Sequence, residues 1–126
     1  MAETSPVGLL LSDDLIFTSR IVGTARKLGL NLVAARDGTR LVDLARKSLP
    51  RCVIIDLDNP GLELAKMIEV LSSLDARPRI VAYGPHVNAE LLHSARVAGC
   101  DPVLPRSKFV DCLETDLPKW FSALTE

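Results

Sequence analysis

The chain has 126 residues, of which 48% are apolar and 25% charged, and its formal net charge is −1. This length fits one domain, residues 1–126, and the apolar fraction is too high for an intrinsically disordered chain. A net charge near zero provides no field that would attract nucleic acid or an anionic membrane, so we expect neither as a partner.

Targeting signals and cysteine usage favour the cytoplasm. Residues 1–6 lack a basic segment followed by an apolar one, so no signal peptide is expected. No apolar run approaches the ~20 residues that a membrane-spanning helix needs. Cys52, Cys100 and Cys112 are odd in number and irregularly spaced, which predicts reduced thiols rather than disulfides or a zinc site. We therefore expect a cytoplasmic protein.

Short apolar runs alternate with segments of helical periodicity, beginning with Val7–Leu11 as the first strand. Residues 15–28 place apolar side chains at helical spacing, and Gly29 ends this first helix. Asn31–Ala35 is the second short run, and a second helix covers 39–48. The first part of the chain thus predicts the order strand, helix, strand, helix.

The second part of the chain continues this alternation. The run at residues 52–55, Cys-Val-Ile-Ile, is the most uniformly apolar of the sequence and ends at Asp56. Gly99 ends the fourth helix, and Pro118 predicts a break or kink in the last one, because proline lacks the N–H that a helix interior uses. The predicted elements are strand 52–55, a helix opening at Pro60 and Gly61, strand 79–83, helix 88–98, a weak strand near 101–104 and a helix over 107–124.

Five strands that alternate with five helices predict a parallel sheet covered by helices on both faces. Strands buried on both sides are continuous apolar runs, and three of the five fit that description. At this length we expect the flavodoxin-like doubly wound α/β fold, with strand order 2-1-3-4-5. No Gly-x-Gly-x-x-Gly follows the first strand, which argues against a dinucleotide-binding fold.

Acidic residues follow the two strands that flank the predicted reversal of strand order. Asp13 and Asp14 come after the first strand, Asp56 ends the third, and Asp58 lies two residues further on. Ligands of open parallel sheets bind in the crevice at this reversal. Carboxylates gathered there repel one another unless a cation or proton neutralises them, and Mg²⁺ prefers such oxygen ligands. The alternative is that these acids cap helices, as Asp14 could for the first helix.

Four segments in register resemble the receiver domain of bacterial two-component response regulators, the CheY-like family. Segment 11–14, Leu-Ser-Asp-Asp, looks like the acidic pair with which receivers help to hold Mg²⁺. Segment 54–61, Ile-Ile-Asp-Leu-Asp-Asn-Pro-Gly, looks like the phosphoacceptor strand, with Asp56 at the phosphorylated position. Segments 35–38 and 98–101 resemble the turns into the second helix and the fifth strand. The residues that the resemblance implies as Mg²⁺ ligands are Asp13, Asp14 and Asp56.

The end of the predicted fourth strand departs from the receiver pattern. Receivers carry a Ser or Thr there, whose hydroxyl donates to the phosphoryl group and reports its presence. This chain has Tyr83, Gly84, Pro85 and His86 in the switch-position loop instead. Without that hydroxyl, even a phosphorylated Asp56 lacks the usual trigger for moving the loop. We expect His86 to line the acidic crevice as a hydrogen-bonded side chain rather than as a metal ligand.

The predicted fifth strand also departs from the receiver pattern, in which a Lys followed by Pro ends this strand. Aligning Pro105 with that proline puts Leu104 at the Lys position. Arg106 and Lys108 are the nearby substitutes. Arg106 could reach Asp56 and neutralise the pocket permanently, and the alternative is that Arg106 is a solvated loop residue.

Three functions are compatible with this pattern. The favoured one is a pseudo-receiver that acts by protein–protein contact, with the fourth helix, fifth strand and fifth helix as the contact face by resemblance. The second is a working response regulator that takes a phosphoryl group from a histidine kinase onto Asp56 with Mg²⁺. The third and least favoured is a small α/β phosphatase or hydrolase with Asp56 as nucleophile, because no further general acid is evident.

The partner expected for this phosphorelay-type module is a protein. It is either a histidine kinase or another signalling protein, and pairing of two copies of the chain as a homodimer remains open. No helix-turn-helix segment is found, so direct DNA binding is not expected. Enzymatic activity is not expected either.

Overall fold

The structure, a computed structural model, describes residues 7–122. Residues 1–6, in which no signal peptide is expected, and the predicted end of the last helix at 124 lie outside the described residues. No helix within 7–122 combines the length and the apolar character needed to cross a membrane. The elements are β1 Val7–Leu11, α1 Leu15–Lys27, β2 Asn31–Ala35, α2 Gly38–Ser48, β3 Cys52–Asp56, α3 Leu64–Ser72, β4 Arg79–Gly84, α4 Ala89–Ala98, β5 Val103–Pro105 and α5 Arg106–Trp120.

The five strands form one parallel sheet in the order β2-β1-β3-β4-β5. This confirms the predicted flavodoxin-like α/β fold and its strand order. Every residue of β3 is buried, which explains why this strand is the most uniformly apolar run of the sequence. Strand order reverses between β1 and β3, so a crevice opens there at the carboxyl ends of the strands.

Two apolar clusters cover the two faces of the sheet. Val53 and Ile55 of β3 belong to one cluster, which α2, α3 and α4 complete with side chains such as Leu71. Ile54 belongs to the other, which α1 and α5 complete with side chains such as Phe109. Alternate residues of a strand point to opposite faces, so the central strand supplies both clusters and must be apolar throughout.

Short polar side chains and glycines set the helix boundaries. Asp14, Asp37 and Asn88 precede α1, α2 and α4, and each accepts a hydrogen bond from the backbone N–H three residues later. These N-caps satisfy N–H groups that have no partner within a helix. Gly29 and Gly99 follow α1 and α4 with φ angles of 76° and 115°, a left-handed conformation that favours glycine.

Two features predicted from the sequence are wrong. Pro60 and Gly61 do not open the third helix, which begins at Leu64, because Gly61 adopts a turn conformation with φ at 74°. Pro118 does not break the last helix, which continues to Trp120. Pro118 lies in the last turn of α5, so its missing N–H affects the hydrogen bonding of that end alone.

The three cysteines are free thiols, as predicted. Cys52 and Cys100 are buried, whereas Cys112 is half-buried. Burial raises the pKa of Cys52 to about 12 and that of Cys100 to about 11. Both thiols therefore stay protonated near neutral pH and behave as small apolar core residues.

Gly8 in β1 allows Phe121, the residue directly after α5, to pack on the central sheet. A Cβ atom added at Gly8 would overlap the ring of Phe121, which is buried against the α1/α5 face. Gly23 in α1 differs, because a Cβ added there meets no atom within 4 Å. The two glycines therefore form a matched pair, one required by packing and one not.

We predict that Gly8→Ala lowers the free energy of unfolding by about 1–3 kcal/mol, because the Phe121 ring must move to admit the methyl group. Gly23→Ala should raise it by about 0.5–1 kcal/mol, because alanine is the better helix residue. Urea unfolding followed by far-UV circular dichroism measures both values. Equal stability of Gly8→Ala and the parent chain would show that Phe121 does not pack on β1.

Candidate functional site

Asp56, the last residue of β3, has a carboxylate buried at the crevice between β1 and β3, with 2% of the residue exposed. Its Oδ2 accepts a hydrogen bond from the hydroxyl of Ser12 at 2.8 Å. Its Oδ1 accepts one from the backbone N–H of Asp58 at 2.9 Å. A buried carboxylate requires such donors, because it has lost the water that would otherwise solvate its charge.

The guanidinium group of Arg106 lies close to two carboxylates, those of Asp14 before α1 and Asp56 at the end of β3. Its Nη1 lies 3.8 Å from Oδ2 of Asp14, and its Nη2 lies 3.9 Å from Oδ1 of Asp56. Arg106 can do this because it follows β5 directly and opens α5, at the same edge of the sheet as the ends of β1 and β3. The Asp56 side chain is 3% exposed, so water screens its attraction to the guanidinium only weakly.

Two aromatic rings lie next to the Arg106 side chain. The guanidinium carbon is 5.0 Å from the centroid of the Phe17 ring and 5.9 Å from that of Tyr83. Both distances are within the range of cation–π attraction. The Nε of Arg106 is buried, and no described residue accepts a hydrogen bond from it.

Tyr83 in β4 is a core residue rather than part of a mobile loop. Its ring is fully buried, 4.5 Å from the ring of Phe109 and 5.2 Å from that of Phe17. Its hydroxyl forms no hydrogen bond within residues 7–122. Burial, and next the negative charge of Asp56, raise the pKa of Tyr83 far above its usual value, so the phenol stays neutral at any ordinary pH.

Gly84 is the last residue of β4 and belongs to the segment 83–86 in which no Ser or Thr occurs. A Cβ added to Gly84 would lie 3.3 Å from Cβ of Leu57 and 3.4 Å from Cδ2 of Leu92. These contacts are tight, so a serine or threonine would push against both leucines. The packing of this chain therefore leaves little room for a side chain at the end of β4.

Asp13 lies at the rim of the site. Its side chain is exposed, and its backbone N–H donates to Oδ1 of Asn59 at 2.8 Å. Asn59 is buried, and its Nδ2 donates to the carbonyl oxygen of Arg36 at 3.3 Å. The Asn59 side chain thus ties together the loops that follow β1, β2 and β3.

An open pocket lies next to Arg106. This pocket has a volume of about 530 Å³, and Asp58 and His86 are among the residues that line it with Arg106. Lys108 is exposed and forms no ion pair with any acid of the described segment. Of the two substitutes for the receiver lysine, Arg106 is therefore the one whose charged group contacts Asp56.

Two of the three predicted Mg²⁺ ligands, Asp14 and Asp56, have carboxylates that face Arg106. Within residues 7–122, no three histidine, cysteine, aspartate or glutamate residues come together as metal ligands would. Oδ1 of Asp14 caps α1, and both oxygens of Asp56 already accept hydrogen bonds. Of the predicted ligands, Asp14 and Asp56 meet at Arg106, whereas Asp13 takes part only through its backbone.

Three residues of the site were not among the predicted ones. Ser12 could have been predicted from the sequence, because a polar residue directly after a fully apolar strand lies at the edge of the sheet. Asn59 and Phe17 could not, because their roles depend on which loops meet. Leu104, which takes the lysine position when Pro105 is aligned with the receiver proline, packs against the α1/α5 cluster, and Arg106 leaves β5 towards the pocket.

No protein-family model matches the sequence, and no curated protein matches it. Solved structures do match its fold. A response regulator from Thermotoga maritima shares 17% identity, covers 95% of this chain and 100% of its own, and has a TM-score of 0.79. The receiver domain of the Francisella response regulator 1452 shares 18% identity over 93% of this chain and 97% of its own, with a TM-score of 0.78.

A third match is the co-crystal structure of the Saccharomyces cerevisiae histidine phosphotransfer signalling protein Ypd1 and the receiver domain of its downstream response regulator Ssk1. It shares 17% identity over 95% of this chain and 91% of that one, with a TM-score of 0.78. Identities this low establish a shared fold rather than a shared activity. In its strand order, its helices and its near-complete overlap with these structures, the chain has the CheY-like receiver-domain fold of response regulators.

Proposed function

We propose that this chain is an atypical receiver domain, a signalling module of a two-component or phosphorelay system that acts by contact with another protein. The observation that carries the proposal is the position of Arg106, within 4 Å of both Asp14 and Asp56. In this view the acidic crevice is neutralised by a cation that belongs to the chain itself. The module then stays in one state and does not depend on Mg²⁺ or on phosphorylation of Asp56.

The electrostatics of the acidic crevice supports the proposal that Arg106 excludes metal ions. Two unit charges 4 Å apart attract by roughly 1 kcal/mol in water and by about 4 kcal/mol near a protein surface. A divalent ion that entered between Asp14 and Asp56 would meet the positive charge of Arg106, and it would have to displace this group from both carboxylates. Within residues 7–122 no third acidic side chain joins these two as a metal ligand would, and a metal gains affinity with the number of charged ligands.

The packing around Gly84 supports the same conclusion for the readout of phosphorylation. Receivers sense the phosphoryl group through a hydroxyl at the end of the fourth strand, and this chain has no Ser or Thr at residues 83–86. Within that segment Gly84 lies close to Leu57 and Leu92. The neighbouring Tyr83 is fixed in the core by two aromatic contacts. This segment is therefore built to stay in place, which suits a module of constant shape.

We propose a protein partner, either a histidine kinase or another signalling protein, at the face formed by α4, β5 and α5. In the solved complex with Ypd1, a receiver domain of the same fold binds a histidine phosphotransfer protein. The exposed fractions of Val87, just before α4, and of Val97 within it are 80% and 73%. Single exposed apolar side chains are common on protein surfaces, and Ile16 in α1 is exposed to 86%, so the face is proposed from the resemblance to receivers. We propose no enzymatic turnover.

We predict that incubation with acetyl phosphate and Mg²⁺ leaves the mass of the intact chain unchanged, because Arg106 lies between Asp14 and Asp56, where a metal would have to neutralise the incoming phosphoryl group. Acid-quenched samples of the parent chain and of Asp56→Asn should give identical mass spectra. A single added phosphoryl group that is absent from Asp56→Asn would instead identify a working response regulator. Turnover of a phosphomonoester such as p-nitrophenyl phosphate would favour the hydrolase.

We predict that Arg106→Met binds Mn²⁺ about tenfold more tightly than the parent chain, because it removes a positive charge ~4 Å from two carboxylates. The free Mn²⁺ signal in electron paramagnetic resonance reports binding. Arg20→Met makes the same change of charge on the exposed surface of α1, where no described acid pairs with Arg20, and should have no effect. Equal affinity of Arg106→Met and the parent chain would show that Arg106 does not exclude cations.

We predict that adding Ser12→Asp to Arg106→Met strengthens Mn²⁺ binding by a further ~10-fold or more, because the Ser12 hydroxyl lies 2.8 Å from Asp56 and an acid there would supply another charged ligand. The control adds Ser94→Asp, on the exposed surface of α4, to the same Arg106 variant. It changes net charge equally but lies outside the site. Equal gains from the two additions would mean that charge alone, rather than position, attracts the ion.

A further inference from the structure

The ion pairs of Arg106 do not by themselves fix the orientation of its guanidinium. Its nitrogen atoms lie 3.8 Å from Asp14 and 3.9 Å from Asp56, which is beyond hydrogen-bond distance. Bidentate arginine–carboxylate pairs have two short parallel hydrogen bonds, and neither pair here is of that kind. Another contact must hold the group in place, since 38% of the Arg106 side chain is exposed and could turn towards water.

The Phe17 ring provides such a contact. The guanidinium carbon lies 5.0 Å from its centroid, closer than it lies to the Tyr83 ring. A planar cation on an aromatic face gains attraction that depends on the ring and not on any hydrogen bond. Phe17 is also one of the residues that line the pocket into which Arg106 would otherwise turn.

Phe17 is coupled to the same acid that Arg106 contacts. The backbone N–H of Phe17 donates to Oδ1 of Asp14 at 3.0 Å, while Oδ2 of Asp14 faces Arg106. The helix cap therefore fixes the carboxylate and the ring relative to each other in the first turn of α1. Together they form a surface with one negative and one aromatic side, which matches a guanidinium group.

The ring itself is held by its neighbours. Phe17 packs edge-on against Tyr83 at 5.2 Å and lies 6.3 Å from Phe109, which in turn stacks on Trp120 at 5.7 Å. Such aromatic pairs add stability beyond the area that they bury. The surface under Arg106 is thus preorganised by the core between α1, β4 and α5, and Arg106 settles on it without rearrangement.

We propose that Phe17 is a positioning residue, an aromatic seat that holds the Arg106 guanidinium between Asp14 and Asp56 and so controls how readily an outside cation can displace it. This inference rests on the proposed function, in which Arg106 neutralises the pocket. It adds that the state of the pocket is set by an uncharged residue of α1 as well as by the ion pairs. Loss of the ring frees Arg106 to turn into the adjacent open pocket.

The direct test is side-chain NMR of the Arg106 Nε–H group, assigned by its loss in Arg106→Lys. In the parent chain the ring current of Phe17 should shift this proton, and rotation about the Nε–Cζ bond should be slow. Phe17→Leu should reduce the shift to the part that the more distant Tyr83 ring contributes and should speed the rotation, whereas Phe17→Tyr should preserve both. An unshifted resonance in the parent chain, or one unchanged in Phe17→Leu, would overturn the proposal.

The matched control is Phe109→Leu. Phe109 belongs to the same aromatic stack as Phe17 but forms no cation–π contact with Arg106. Its replacement lowers the stability of this core, measured by thermal unfolding, but should leave the rotation of the Arg106 group slow. If Phe109→Leu frees Arg106 as much as Phe17→Leu does, the effect is one of general loosening and the proposed seat is excluded.

Cation binding separates this inference from the proposed function. Phe17→Leu should bind Mn²⁺ roughly fivefold more tightly than the parent chain, a smaller gain than Arg106→Met gives, since the cation–π term is modest. A gain in Arg106→Met without one in Phe17→Leu refutes the seat and leaves the proposed function intact. No gain in either variant refutes the proposed function, while the NMR measurement still decides whether Phe17 holds Arg106.

Discussion

The buried carboxylate of Asp56 is the constraint on which the rest of this site depends. It stands at the end of the most deeply buried strand, where its charge has little water, so each of its oxygens must find donors within the protein. Its hydrogen-bond donors come from the loops after β1 and β3, and its charge partner, Arg106, comes from the start of α5. One buried charge therefore joins the ends of three strands.

The fold could be predicted from the sequence because its determinants are local. Each strand of a doubly wound sheet is a short apolar run, and the caps Asp14, Asp37 and Asn88 and the left-handed glycines 29 and 99 mark helix ends within a few residues. The errors arose where a local signal has two readings. Gly61 serves a turn rather than a helix start, and Pro118 is tolerated because its helix is about to end.

The site was only partly predictable, because its chemistry depends on which loops meet. That the acids would gather followed from strand order alone, but which cation would meet them depended on where β5 ends. With β5 at Val103–Pro105, the register places Arg106 at the edge of the sheet and packs the half-buried Leu104 against the α1/α5 cluster. A shift of one residue reverses which side chains face the core. No sequence pattern could have named Phe17, since its role exists only once Arg106 lies over its ring.

A receiver pocket that is neutralised by its own arginine must signal differently from one that binds a metal ion and receives a phosphoryl group. In a pocket of the second kind, metal binding and phosphorylation each change the charge of the crevice, and the loop at the end of the fourth strand moves in response. Under the proposed function the charge is balanced in advance by Arg106, while Leu57 and Leu92 lie close to Gly84 and Tyr83 is held in an aromatic stack, so this edge keeps one state. Under the proposed function, whatever the module communicates must then depend on whether a partner is bound, and the exposed valines before and within α4 are where that difference would be made.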